Sequence, residues 1–144
     1  MSGGDNLDDV LEHYYSALDE FSRGDPEPVK SLYSHRDDVT LANPFGPAVR
    51  GWNQVTARLN YASSRFSDGG MSRPERVTAF IAEDLACIVE NEAWRARVGD
   101  RAEVAPFDLR VTSIFRREDG IWKLVHRHAD PIKDAHPDGP LRSG

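Results

Sequence analysis

A chain of 144 residues carrying a net charge of −6 and one cysteine has room for one domain with a single core, and it excludes both a disulfide framework and a cysteine-only zinc site. Its 18 basic side chains are outnumbered by 24 acidic ones and form no cluster. That excludes nucleic acid and anionic membranes as main partners, because phosphate binding draws its affinity from grouped Lys and Arg. No segment approaches the roughly 20 apolar residues that span a bilayer, and Met1-Ser2-Gly3-Gly4-Asp5-Asn6 has neither the basic nor the apolar stretch of a secretion signal, so a soluble, cytoplasmic protein is expected.

In chain order, Leu7, Val10, Leu11, Tyr14, Leu18 and Phe21 fall three or four residues apart, the stripe of an amphipathic helix that Asp5 or Asn6 caps and Gly24 stops. Asp25 before Pro26 starts a second, short helix with Val29, Leu32 and Tyr33 on its apolar side. Residues 38–43 alternate weakly as a strand, Pro44-Phe45-Gly46-Pro47 breaks it, and Asn53 opens a third helix that turns Val55, Leu59, Ala62 and Phe66 inward. The loop Ser67-Asp68-Gly69-Gly70 ends the helical half. From Arg76 onward the period becomes two. Residues 76–83, 85–98, 107–117 and 122–129 read as four long strands with tight connections, an antiparallel meander. Helices first and a curled sheet after is the α+β pattern. Cys87 is expected as a small core residue, and residues 133–144, rich in Pro, Gly and charge, as a flexible C-terminal tail.

The closing hairpin, whose turn Glu118-Asp119-Gly120 leads into Ile121-Trp122-Lys123-Leu124-Val125-His126-Arg127-His128, resembles that of the nuclear transport factor 2-like superfamily. The order helix, helix, strand, helix, four strands is similar too. That superfamily includes steroid isomerases, SnoaL-like polyketide cyclases and the association domain of calmodulin-dependent kinase. The resemblance implies one domain over residues 1–132, a cystatin-like cone with three N-terminal helices packed on a curved antiparallel sheet, and a homodimer formed through the outer sheet face.

The stretch Asp37-Asp38-Val39-Thr40-Leu41-Ala42-Asn43-Pro44-Phe45-Gly46 looks like the isomerase segment that carries the catalytic base just before its proline. Here that position is Asn43, and an amide has no accessible conjugate base to shuttle a proton. Counting back from the Glu118-Asp119-Gly120 turn puts Thr112 where the isomerases keep a protonated oxyanion-hole acid. Counting back from Gly24-Asp25 puts Ala17 near their oxyanion tyrosine, and Tyr14, one helical turn earlier, is the nearest replacement. A steroid-isomerase mechanism is therefore not expected, although the cup is. The same counting implies that Arg110, Thr112 and Ile114 face the cup, as do Val125, Arg127 and Ala129. Similarity to the kinase association domain adds Glu92, with Glu90 and Trp94 on its face. A slip of one residue would send each set to the opposite face.

Two readings stand for Glu92, Arg110 and Arg127. One is a clamp for a small anionic or carbonyl-bearing ligand, with Glu92 orienting an arginine or acting as acid/base; the other is a structural salt bridge. Asn43 either meets a ligand or caps the Pro44 turn. Tyr14, Tyr15, Trp52, Trp94 and Trp122 are lining or core. His126, His128 and Asp130 share a strand face directed away from the cup, so a hydrogen-bonding pair is expected there and no metal. Serine-hydrolase, phosphate-loop and dinucleotide motifs are absent, and no cofactor is expected.

The function this implies is a small-molecule-binding cup of the SnoaL-like kind, or a cofactor-independent isomerase, cyclase or hydratase. Glu92 would be its acid/base, with Tyr14, Asn43, Trp94, Arg110, Thr112 and Arg127 positioning a small organic molecule. The alternative is a non-catalytic association module with a vestigial or regulatory pocket, favoured by the loss of the isomerase residues.

Overall fold

The computed structural model describes residues 6–131, so the expected tail at residues 133–144 lies outside the described residues. Helix α1 (Leu7–Phe21) begins where Asn6 Oδ1 accepts the Asp8 N–H at 2.8 Å. It stops as Gly24, at φ +96°, lets the Asp25 N–H turn back onto the Glu20 carbonyl. Helix α2 (Glu27–Leu32) opens with the Asp25 carboxylate accepting the Glu27 N–H at 3.1 Å. Helix α3 (Trp52–Ser64) starts from Gly51 at φ +91° without a side-chain cap, one residue before the expected Asn53.

Among the described residues seven strands form one curved, unclosed sheet: β1 (Thr40–Asn43), β2 (Gly46–Arg50), β3 (Phe66–Met71), β4 (Glu75–Ile81), β5 (Leu85–Val98), β6 (Ala105–Glu118) and β7 (Ile121–Asp130). Their order is β2-β1-β7-β6-β5-β3, with β4 beside the first half of β5. Every pairing is antiparallel except β1 with β7, which is parallel. The β6–β7 turn holds Asp119 at φ 53° and Gly120 at φ 81°, the two positive angles that match a two-residue hairpin to strand twist. The protein is thus α+β, with its helices packed on the concave face of the sheet.

Two strands stand where loops are expected. Pro47 sits in β2, an edge strand where its missing N–H breaks no ladder. Phe66 leaves the helix to open β3, and Ser67-Asp68-Gly69-Gly70 pairs with β5 through a bulge. Gly69 is required there, since a Cβ would lie 2.2 Å from the Ser22 carbonyl oxygen.

The core lies between α1 and the inner sheet face, with Leu18, Ile88, Phe115 and Leu124 fully buried, each worth about 1.5–3 kcal/mol by area. On β6 the buried residues are Leu109, Val111, Ser113 and Phe115. Arg110, Thr112 and Ile114 therefore face outward, one residue out of step with the count made from the turn. On β7 the inner residues are Trp122, Leu124, Arg127 and Ala129. The ladder shifts between Ile114 and Phe115, so Val125 falls in a bulge instead of facing the cup. Cys87 is half-buried on the outer face, opposite Phe80 and Ile114, and not in the core. Among the described residues no helix is long and apolar enough to cross a membrane.

Candidate functional site

Between the helices and the concave sheet face lies a cavity of about 420 Å³. Leu18 and Phe21 of α1, Val29 of α2, and Leu59 and Ala62 of α3 form its helical side. An aromatic wall faces them. Phe107 of β6 stacks on Phe66 of β3 and on Trp94 of β5, with both centroid separations 5.8 Å. Asn43, Pro44 and Phe45 from the β1–β2 turn, Arg101 from the β5–β6 connection, and Pro131 also line the cavity. Its only ionisable lining residues, among those described, are Arg101 and Arg127.

Arg127 is 6 % exposed, and a guanidinium so placed needs partners. Its Nη1 donates to Tyr14 Oη at 2.7 Å and to Glu92 Oε2 at 2.9 Å; its Nη2 donates to Glu92 Oε1 at 2.7 Å. Trp94 Nε1 donates to Glu92 Oε1 at 2.8 Å, and Tyr14 Oη lies 2.6 Å from Ser113 Oγ. Three of five N–H donors of Arg127 are used in this way. The other two meet no acceptor among the described residues. Burial pulls the Arg127 guanidinium down, but the charge of Glu92 and the bonds from Glu92 and Tyr14 outweigh it and hold the group well above its ordinary value. Burial raises the Tyr14 phenol, so its hydroxyl stays neutral.

The structure brings part of the expected set together. Arg127, Trp94 and Asn43 line the cavity, while Glu92 and Tyr14 do not; they are buried around Arg127 and bonded to it. Asn43 Oδ1 also accepts the Phe45 N–H at 3.2 Å, so the amide caps its turn as well. Arg110 and Thr112 are absent from the cavity. Arg110 donates from Nε and Nη2 to the Asp130 carboxylate at 2.7 and 2.8 Å on the outer face, and Thr112 pairs across strands with Val89 and His128. His126 Nδ1 lies 2.7 Å from Thr40 Oγ1, and among the described residues no group of His, Cys, Asp and Glu is placed to hold a metal. The sequence reading did not single out Ser113, Arg101 or Phe107. The alternation Leu109, Val111, Ser113, Phe115 against Arg110, Thr112, Arg116 was the available signal for Ser113.

The arrangement offers a hydrogen-bond donor of fixed charge to a guest in an apolar chamber. No carboxylate lines the cavity among the described residues, and Glu92, buried outside the lining, has its oxygens taken by Arg127 and Trp94.

Solved structures share this fold. A nuclear transport factor 2-like superfamily protein from Salmonella enterica superposes with TM-score 0.76 at 16 % identity, covering 94 % of each chain. A candidate dehydratase of the same family from Streptomyces avermitilis gives TM-score 0.68 at 17 % identity, over 91 % of this chain and 96 % of that one. A candidate calcium/calmodulin-dependent protein kinase type II association domain from Thiobacillus denitrificans gives 0.69 at 17 % identity, over 88 % and 94 %. At these identities the likeness speaks for the fold alone. None of the curated proteins matches the sequence. The SnoaL-like domain family, in contrast, matches residues 7–132, nearly the whole described chain, and the protein belongs to that family within the nuclear transport factor 2-like superfamily.

Proposed function

We propose that the protein binds a flat, largely apolar organic molecule in the cup and holds a carbonyl or other acceptor of that molecule on Arg127. The observation that carries this reading is a charged guanidinium in the wall of an apolar cavity with N–H donors left over. In this reading Glu92 and Tyr14 are positioning residues: they fix the plane of Arg127 so that its remaining donors are pre-aimed, which lowers the entropy lost on binding. Any turnover would be a cofactor-independent isomerisation, cyclisation or hydration in which Arg127 polarises a carbonyl. Asn43 and Trp94 contact the guest from the rim and the aromatic wall. Arg110 and Thr112 take no part.

The test is a thermal-shift series with flat cyclic ketones and aromatic polyketide mimics. A guest at about 100 times its Kd should add about 2.7 kcal/mol of stability. The substitution Ala129→Phe, which fills the chamber, should erase the gain without unfolding the protein. Silence across the panel for the native chain would refute the reading.

A second reading, an association module, is favoured by one observation. The outer sheet face carries Phe80, Cys87 and Ile114 as cross-strand neighbours, and Phe80 is 64 % exposed. Two copies joined through this face would leave the cup untouched.

A further inference from the structure

Among the described residues, Arg101 is the lining cation without a charged partner. Unlike Arg127, it is exposed, and no carboxylate among the described residues pairs with it. Asp100 and Glu103 flank it in the chain but do not line the cavity. Its loop is held in place. The Gly99 N–H donates to the Arg65 carbonyl at 2.8 Å and the Arg101 N–H to the Val98 carbonyl at 3.2 Å. Arg97 bridges the loop to β3, donating from Nη1 to the Ala102 carbonyl and from Nε and Nη2 to Asp68 at 3.1 and 2.9 Å. A fixed loop thus presents a guanidinium at the mouth of an apolar chamber, in a chain whose net charge of −6 would otherwise repel anions.

Building on the reading of the cup as a ligand site, we propose that its guest is an organic carboxylate, whose apolar body fills the chamber with an acceptor on Arg127 and whose charged end leaves through the mouth against Arg101. Arg101 is then the residue that selects anions over neutral analogues. The deep end cannot make that choice, because Glu92 already neutralises Arg127.

The experiment compares two probes by calorimetry on the full chain: an acetylbiphenyl carboxylate, with ketone and carboxylate at opposite ends, and its methyl ester. The carboxylate should bind roughly tenfold more tightly, as expected for one charge-assisted contact at a wet rim. Arg101→Glu should remove that preference and leave the ester unchanged, while Arg101→Lys should keep most of it. Raising salt from about 0.1 to about 1 M, which shortens the screening length from about 10 to about 3 Å, should weaken only the carboxylate. This arm uses the unaltered chain, so the proposal stays testable if Arg101→Glu fails to fold. Equal, salt-insensitive binding of both probes would overturn the proposal and leave the cup reading standing. A carboxylate preference indifferent to Arg101→Glu would place the anion elsewhere and overturn it as well. Failure of both probes to bind would count against the cup reading itself.

Discussion

Glu90 and Glu92 project from the same face of β5, each at most 2 % exposed, and burial obliges each carboxylate to find donors. Glu92 finds three, two from Arg127 and one from Trp94. Removing Arg127 alone strips this carboxylate of its counter-ion, so Arg127→Ala should cost about 3–5 kcal/mol in urea denaturation. The double variant Arg127→Met with Glu92→Gln should lose much less, since replacing a buried pair is often close to neutral. Equal losses in the two would show that the charge left behind is not the cause. Glu90 is less well served. Tyr15 donates to its Oε2, Arg76 stands 3.8 Å from the same oxygen, and Oε1 has no hydrogen-bond partner among the described residues. Burial, with the nearby charge of Glu92, raises the Glu90 carboxyl above its ordinary value, against the pull of Tyr15 and Arg76. The folded state therefore holds this proton more tightly than the unfolded chain does. Its contribution to stability is complete below the usual glutamate range and is lost as pH climbs through the raised value. His126, held below its ordinary value by burial and by the nearby His128, works in the opposite sense, its contribution growing as pH rises toward neutral, so Glu90→Gln should shift the slope of melting point against pH toward a steeper rise than the native chain shows. Glu12, Asp19, Asp38 and Glu118, all held low by arginine partners against burial, lose their contributions only at more acid pH, outside this window. An unchanged slope in Glu90→Gln would rule out the assignment.

At the level of elements, the long strands and α1 were legible in the sequence because both announce themselves by period. The stripe from Leu7 to Phe21 returns as the buried face of α1, and β5 keeps its expected bounds. What periodicity could not show were the strands made by contact. β3 is a Gly-rich run that pairs because Gly69 can press against Ser22, and β2 survives Pro47 because its outer edge has no partner to lose. The site was legible in part for the same reason. Trp94 and Glu92 follow the alternation of β5, so their burial could be read from period and likeness together. For β6 the count from the turn overrode the strand's own apolar alternation, and a one-residue slip put Arg110 and Thr112 on the wrong face. Val125 illustrates a harder limit: a bulge on β7 changes which residues face inward halfway along the strand, and no local pattern announced it.

The molecule as a whole separates two surfaces that the curved sheet holds back to back. The concave face is occupied by core and cup; the convex face carries the row Phe80, Cys87 and Ile114 and, beside it, Thr78, Val89, Thr112 and His128. An apolar row in water forfeits roughly 25 cal/mol for each Å² left uncovered, and a second copy of the same row is a self-complementary cover. The flanking polar groups, including the Arg110–Asp130 pair, suit the rim of such an interface. Sedimentation equilibrium should then find a dimer, and Phe80→Asp or Ile114→Asp should shift it toward the monomer by burying an unpaired charge at the contact. Because the row and the cup lie on opposite faces, the same variants should keep the thermal shift given by a cup ligand. A native chain that sediments as a monomer would exclude the convex face as a self-association surface. Dissociation accompanied by loss of the ligand shift would mean that the two faces are coupled and that pairing holds the cup in shape.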